Sequence, residues 1–223
     1  MGHDRGARVT HRLCLDYPKR VVKAVLLDNI PTRTLYESVN QAVASVYFYW
    51  FFLIQDAPLP ESLIGGDPIN YLHGGLGARL GGVDALHPDA LAAFERNFQD
   101  PAVIHATCKD YRAGATIDLE HNKVDSDNRI QCPLLLVWGT LGPMDKLYVI
   151  LATWQDKALT CRGWDWSVAI IQLRKSLQSC WRHWMSCYKA LDGRKGAVGK
   201  IVCTISGRGG RERSRAPDPD SQG

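Results

Sequence analysis

The chain has 223 residues, 45% hydrophobic and 22% charged, with a formal net charge of +4 at pH 7; this is the composition of a soluble globular protein with room for one large domain or two small ones. The strongest apolar run, Val43–Ile54, falls short of the ~18 residues a bilayer span needs, and no basic-then-apolar segment marks a secretory signal, so the expectation is a cytoplasmic protein without a membrane partner. The seven cysteines are irregularly spaced and form no C-x-x-C, which argues against a zinc site and a disulfide framework alike.

The N-terminal stretch carries the first chemistry. Gly2-His3-Asp4-Arg5-Gly6 has the form G-x-D-x-G, a nucleophile elbow with aspartate where serine more often sits. Such a turn from strand to helix is tight, and a Cβ on either flanking glycine is expected to collide with the backbone. A serine that attacked a saturated carbon would end as an inert ether, whereas a carboxylate ends as an ester that activated water can cleave. Aspartate at the elbow therefore points to substitution at a C–halogen bond or an epoxide. Arg5 and Arg8 flank it, the second one helical turn beyond. Cations at a helix N-terminus oppose the helix dipole, so their placement asks for another reason. Paired guanidinium groups suit a substrate that carries its own carboxylate.

The spacing predicts a helix over Ala7–Asp16, stopped by Pro18, then a buried parallel strand over Val21–Leu27. Asp28 follows at the strand's C-terminal end, where open α/β sheets bind ligands; a turn residue before Asn29 and Pro31 is the plainer reading of it. Asp145, after a later strand, is the second choice for an acid. Residues 33–130 show helical patterns broken by Pro and Gly. They include one long helix over Leu35–Ile54, another over Pro88–Phe98, and a third opened by Asp100-Pro101. Such an all-helical insert reads as a cap. Gly74–Gly82 lacks the Gly-Lys-Ser/Thr of a phosphate loop and reads as a flexible connection. Leu134–Trp138 is again a buried strand, and Lys146–Lys157 a helix. Histidines 11, 73, 87, 105 and 121 have no partner spacing and read as surface residues; His3 is badly placed to activate a hydrolytic water. By spacing alone Tyr49, Trp50 and Tyr111 read as core.

Composition changes after Ala158. Residues 159–223 hold 12 Lys/Arg against 5 Asp/Glu, with four of the seven tryptophans and four of the seven cysteines, while residues 1–158 hold 15 Lys/Arg against 18 Asp/Glu. The segments expected are 1–32 (core, with the elbow), 33–130 (helical cap), 131–158 (core) and 159–223 (a divergent tail, disordered or translated out of frame). The fold class expected is α/β, a partial parallel-sheet core with the cap inserted.

Gly2 to Arg8, Asp28-Asn29-Ile30-Pro31-Thr32, Trp50-Phe51-Phe52-Leu53-Ile54-Gln55 and Asp110-Tyr111-Arg112-Ala113 resemble haloacetate dehalogenases of the fluoroacetate type, members of the α/β-hydrolase superfamily. The resemblance covers about residues 1–158. It implies hydrolysis of 2-haloacetates through an aspartyl ester without cofactor or metal. Asp4 matches the nucleophile, Arg5 and Arg8 the carboxylate clamp, and Asp28 the acid that orients a catalytic histidine. Trp50 and Tyr111 match halide-pocket donors, and Tyr49 stands where the family has histidine, which puts defluorination in doubt more than dehalogenation in general. The family's strands before the elbow and its C-terminal Gly-His have no counterpart, and His183 is a poor replacement for that histidine. The chain is therefore expected to be an incomplete, inactive fragment with a small haloacid as its parent family's substrate. A homodimer is compatible with this reading, and nucleic acid is disfavoured as a partner. The alternatives are an epoxide hydrolase, against which Arg5 argues, and a non-catalytic product whose basic end, Gly207–Arg215, binds nucleic acid.

Overall fold

Four parallel strands pair side by side in chain order, the two central ones, AVLL and LLLVWG, being short apolar runs. A computed structural model describes residues 1–80 and 83–166 and the backbone of 211–213. The strands are β1 (Gly2–His3), β2 (Ala24–Leu27), β3 (Leu134–Gly139) and β4 (Cys161–Trp166), with β5 (Arg211–Arg213) added antiparallel at the far edge. Leu26 sits opposite Gly2 on one side and Leu136 on the other, and Leu136 opposite Gly163. All four residues of β2 are buried, and all but one of β3, as a sheet covered on both faces requires. Val25, Leu27 and Val137 pack as one cluster, with Leu135 against it. A Cβ on Gly163 would come within 2.9 Å of the Trp138 ring, so glycine leaves room for that indole against β4.

Helix α1 (Arg5–Asp16) starts two residues before the expected Ala7, because Asp4 alone makes the reversal out of β1. It ends where Tyr17 N–H bonds Leu13 O, just before Pro18. The strand expected over 21–27 is shortened to 24–27.

The chain forms two compact units, Met1–Pro31 with the described residues from Asn128 onward, and Thr32–Asp127. In the second unit the long helix expected over Leu35–Ile54 is three short ones, α2 (Thr32–Glu37), α3 (Gln41–Val46) and α4 (Phe48–Phe52). Ser38 Oγ bonds back to Thr34 O at 2.6 Å, and Asn40 Oδ1 accepts from Val43 N–H at 3.0 Å. Side-chain bonds of this kind compete with the helical ladder and mark its ends.

After α5 (Leu59–Gly66), helix α6 (Pro68–Leu80) runs straight through Gly74 and Gly75, where a flexible connection was expected; Gly81 and Gly82 lie outside the described residues. Packing overrides the glycines: Tyr71 stacks on Phe98 at 6.1 Å, and His73 Nε2 meets Glu95 Oε1 at 2.6 Å. A 3-10 turn (Val83–Ala85) leads to α7 (Pro88–Phe98), α8 (Pro101–Ala115) and α9 (Ile117–Val124). The expected starts of α7 and α8 hold, with Asp100 Oδ1 accepting from Ala102 N–H at 2.9 Å.

Back in the first unit, the helix expected over Lys146–Lys157 is split into α10 (Pro143–Leu147) and α11 (Ile150–Trp154) by the extended backbone of Tyr148. Strand β4 crosses the boundary set for the tail at 159. The rest of the tail, His183 and all of 207–215 but 211–213 included, lies outside the described residues.

Candidate active site

Asp4 is the N-cap of α1 with φ 51° and ψ −119°, and its side chain makes no capping hydrogen bond. An L-residue at positive φ is strained. The strain sits at the turn from β1 into α1, and the carboxylate is left exposed instead of being tied to the helix end. Gly2 makes the approach feasible: a Cβ there would lie 2.2 Å from Gly6 O and 2.5 Å from Thr10 Oγ1. Gly6 differs from expectation. A Cβ on it would meet nothing within 4 Å, because the crowding is one-sided and Gly6 presents its carbonyl, not its Cα, to Gly2.

Arg5 and Arg8 are half-buried on the first turns of α1, with Arg5 Nε and Nη1 and Arg8 Nε shut off from solvent. Asp28 closes β2 with a second positive φ, 44°, and its N–H bonds Val137 O at 2.7 Å. Burial pushes its carboxyl from 3.8 up to about 7; the Gly139 N–H donates to it and opposes that rise, while the charges of Asp4 and Asp145 add to it. Asp28 Oδ1 is buried and has no hydrogen-bond partner among the described residues. Asp145, the second choice for the acid, accepts the Trp138 indole N–H at 2.7 Å.

The expected aromatic residues meet within the second unit. Trp50 and Tyr111 are edge-to-face at 5.7 Å, and Tyr49 and Tyr111 at 6.0 Å. Trp50 and Tyr111 are buried, 3% and 8% exposed, while Tyr49 is partly open. Arg112, the neighbour of Tyr111, forks onto Glu61 at 2.7 and 3.0 Å and onto Gln55 O at 2.9 and 2.7 Å. It thereby locks α8 to α5 and to the loop after α4. Hydrogen bonding from Arg112 holds the Glu61 carboxyl well down, at about 2. His105 Nδ1 lies 3.3 Å from Glu61 Oε1, and His11 packs edge-on against Trp154 at 5.0 Å; these histidines, like His73, have partners that their spacing did not announce.

Sequence reasoning passed over Asn29, Trp154 and the Gly139 N–H. Asn29 is 4% exposed, and its Nδ2 donates to Asp4 O at 3.2 Å. Its own carbonyl accepts the Trp154 indole N–H at 3.0 Å. A second polar residue after a buried strand, following Asp28, was the one available signal for Asn29. Cys14 is buried against Cys132, and its thiol is pushed up to about 12, by burial first and by Cys132 second. Cysteines 14, 108, 132 and 161 are free thiols. Among the described residues no group of His, Cys, Asp and Glu could hold a metal ion, and no helix is long and apolar enough to cross a membrane.

The model of the alpha/beta hydrolase fold family matches residues 1–162. The fluoroacetate dehalogenase of Burkholderia sp is 41% identical over 163 residues, 73% of this chain and 54% of that protein. Epoxide hydrolase 3 of Mus musculus is 25% identical over 140 residues, 62% of this chain and 37% of that one. This chain thus spans about half or less of these relatives' lengths. A Salmonella enterica crystal structure, provisionally named an acyltransferase, is similar at TM-score 0.80 and 41% identity, covering 85% of this chain and 63% of that one. A variant of a provisionally named epoxide hydrolase from Pseudomonas aeruginosa, with bound MFA, is similar at TM-score 0.76 and 35% identity, covering 85% and 64%.

Proposed function

The chain belongs to the α/β-hydrolase fold family, and from that premise we propose that it carries the nucleophilic half of a hydrolytic dehalogenation of 2-haloacids. One oxygen of the Asp4 carboxylate attacks the halogen-bearing carbon, the C–O bond forms as the C–halogen bond breaks, and halide leaves with the electron pair. Arg5 and Arg8 hold the substrate carboxylate and offset the repulsion between two anions. Tyr49, Trp50 and Tyr111 offer O–H and N–H donors to the departing halide. The observation that carries the reading is the strained, uncapped Asp4 beside two arginines; likeness to the Burkholderia dehalogenase supports the choice of substrate.

The second half, ester hydrolysis, needs a base to activate water. The dehalogenases this chain resembles use a Gly-His histidine for that, and no Gly-His occurs after Gly163, so the proposed reaction stops at the ester. The test is incubation with bromoacetate, followed by tryptic digestion and mass analysis of the cysteine-free peptide Met1–Arg5. One carboxymethyl group on Asp4, removable by hydroxylamine and absent from Asp4→Asn, is the expected result. No label at Asp4 refutes the nucleophile, and halide released over many turnovers refutes the arrest. With Tyr49 in place of the family's histidine, chloroacetate and bromoacetate should label faster than fluoroacetate; equal rates would remove Tyr49 from the halide contact.

Epoxide opening is the second reading, favoured by likeness to epoxide hydrolases. A neutral epoxide needs no carboxylate clamp. If it labels Asp4 while haloacids do not, that reading replaces the first.

A further inference from the structure

We propose that Asn29 is a positioning residue that fixes the elbow peptide and through it the aim of the Asp4 carboxylate. The inference rests on Asp4 being the nucleophile. The Asp4 carbonyl accepts two bonds, from Ala7 N–H at 3.0 Å and from Asn29 Nδ2 at 3.2 Å. The first belongs to the helix. The second comes from the end of the neighbouring strand and is the tie that holds the strained turn from outside.

Asn29 is itself braced, because the Trp154 indole N–H donates to its carbonyl at 3.0 Å. Trp154 is fully buried, and His11 of α1 lies edge-on to it at 5.0 Å. The contacts run from the elbow to Asn29, to Trp154, and back to the helix the elbow opens. A residue at φ 51° relaxes unless its surroundings over-determine it, and this ring of contacts does so. The peptide bond is planar and trans, so holding the Asp4 C=O also aims the Arg5 N–H the opposite way. At an elbow, that N–H after the nucleophile is an oxyanion donor. Asn29 Oδ1 is buried without a hydrogen bond among the described residues, a cost that an apolar residue kept only for packing would avoid. The amide N–H is what this position needs.

The test begins with NMR of the unsubstituted protein. A through-hydrogen-bond coupling between the Asn29 amide nitrogen and the Asp4 carbonyl carbon is expected, and its absence overturns the proposal. Asn29→Leu should then move the Asp4 carbonyl shift. It should slow alkylation at saturating bromoacetate by roughly tenfold or more, with the half-saturating concentration held within about twofold. A wild-type rate overturns the proposal, and so does a rate that falls only in step with weaker binding and a lower melting temperature. If Asn29→Leu does not fold, the coupling decides alone. If wild-type protein is never alkylated, the function reading fails, and the coupling and carbonyl shift still decide whether Asn29 holds the elbow.

Discussion

At the scale of single residues, the two glycines of the elbow should part company. Gly2→Ala places a Cβ 2.2 Å from Gly6 O, so β1 or α1 must move, and a loss of at least ~2 kcal/mol is expected. Gly6→Ala meets nothing within 4 Å in the first turn of a helix, and a gain of a few tenths up to ~1 kcal/mol is expected. Urea melts of the two variants check this, and equal effects would show the turn to be crowded on both sides. Asp28 gives a pH signature. Its folded carboxyl sits at about 7 against 3.8, so folding takes up a proton between those values. The resulting penalty grows as pH rises from about 4 to about 7 and is complete above that. The amide introduced by Asp28→Asn keeps an acceptor for the Gly139 N–H and cannot ionise. A shift of this size corresponds to up to ~4 kcal/mol, and the residue's partial exposure brings the expectation nearer ~2 kcal/mol. The stability gained by Asp28→Asn should be near zero at pH 4 and largest at pH 8; a gain independent of pH would refute the burial argument. The tight turn at Asp4 was legible because G-x-D-x-G is a local pattern, where Gly2 and Asp4 determine the turn between them. Asn29 and Trp154 were not, because their bond joins positions 125 residues apart and no pattern along the chain encodes it.

Among the elements, those read correctly are the ones whose signals lie within a few residues. Strands β2 and β3 are apolar runs, and α7 and α8 open on proline at the first turn. The errors came where side chains or packing overrule periodicity. Ser38 and Asn40 cut one expected helix, and a face of α6 packed on α7 carries Gly74 and Gly75 through a helix where a flexible connection was expected. Arg112 shows an element held by one side chain. Four hydrogen bonds from its guanidinium join α8 to Glu61 and to Gln55 O, and both charged side chains are mostly covered, at 22% and 15% exposed. Lysine keeps the charge and loses the fork, so Arg112→Lys should cost ~1–3 kcal/mol. Glu61 is lowered from 4.5 to about 2, so its contribution is complete above about 4.5 and is lost as pH falls toward 2. The difference between wild type and Arg112→Lys should therefore shrink over that window in urea melts taken at several pH values. A difference that persists at pH 2 would assign the loss to the arginine stem rather than to the ion pair.

Across the whole molecule, the first unit is discontinuous. Leu26 of β2 pairs with Leu136 of β3 across a helical segment, Thr32–Asp127, that clusters as a unit of its own. The sheet's pairing thus closes only when distant parts of the chain meet, a large loop-closure entropy that local helices do not face. Two units with different contact ranges should open separately. Leu136 is 1% exposed at the centre of β3, and Leu136→Ala should cost ~2–5 kcal/mol by cavity formation. Under conditions where the protein stays folded, amide exchange in residues 24–27 and 134–139 should accelerate by the factor that this loss sets, while exchange in α7 and α8 stays as in wild type. Acceleration everywhere by one factor would mean that the two units unfold as a single cooperative body. In that case a substitution in the helical unit would reach the Asp4 elbow through global stability alone. With separate opening, the elbow and its Asn29 tie keep their own stability when a residue of the helical unit is replaced.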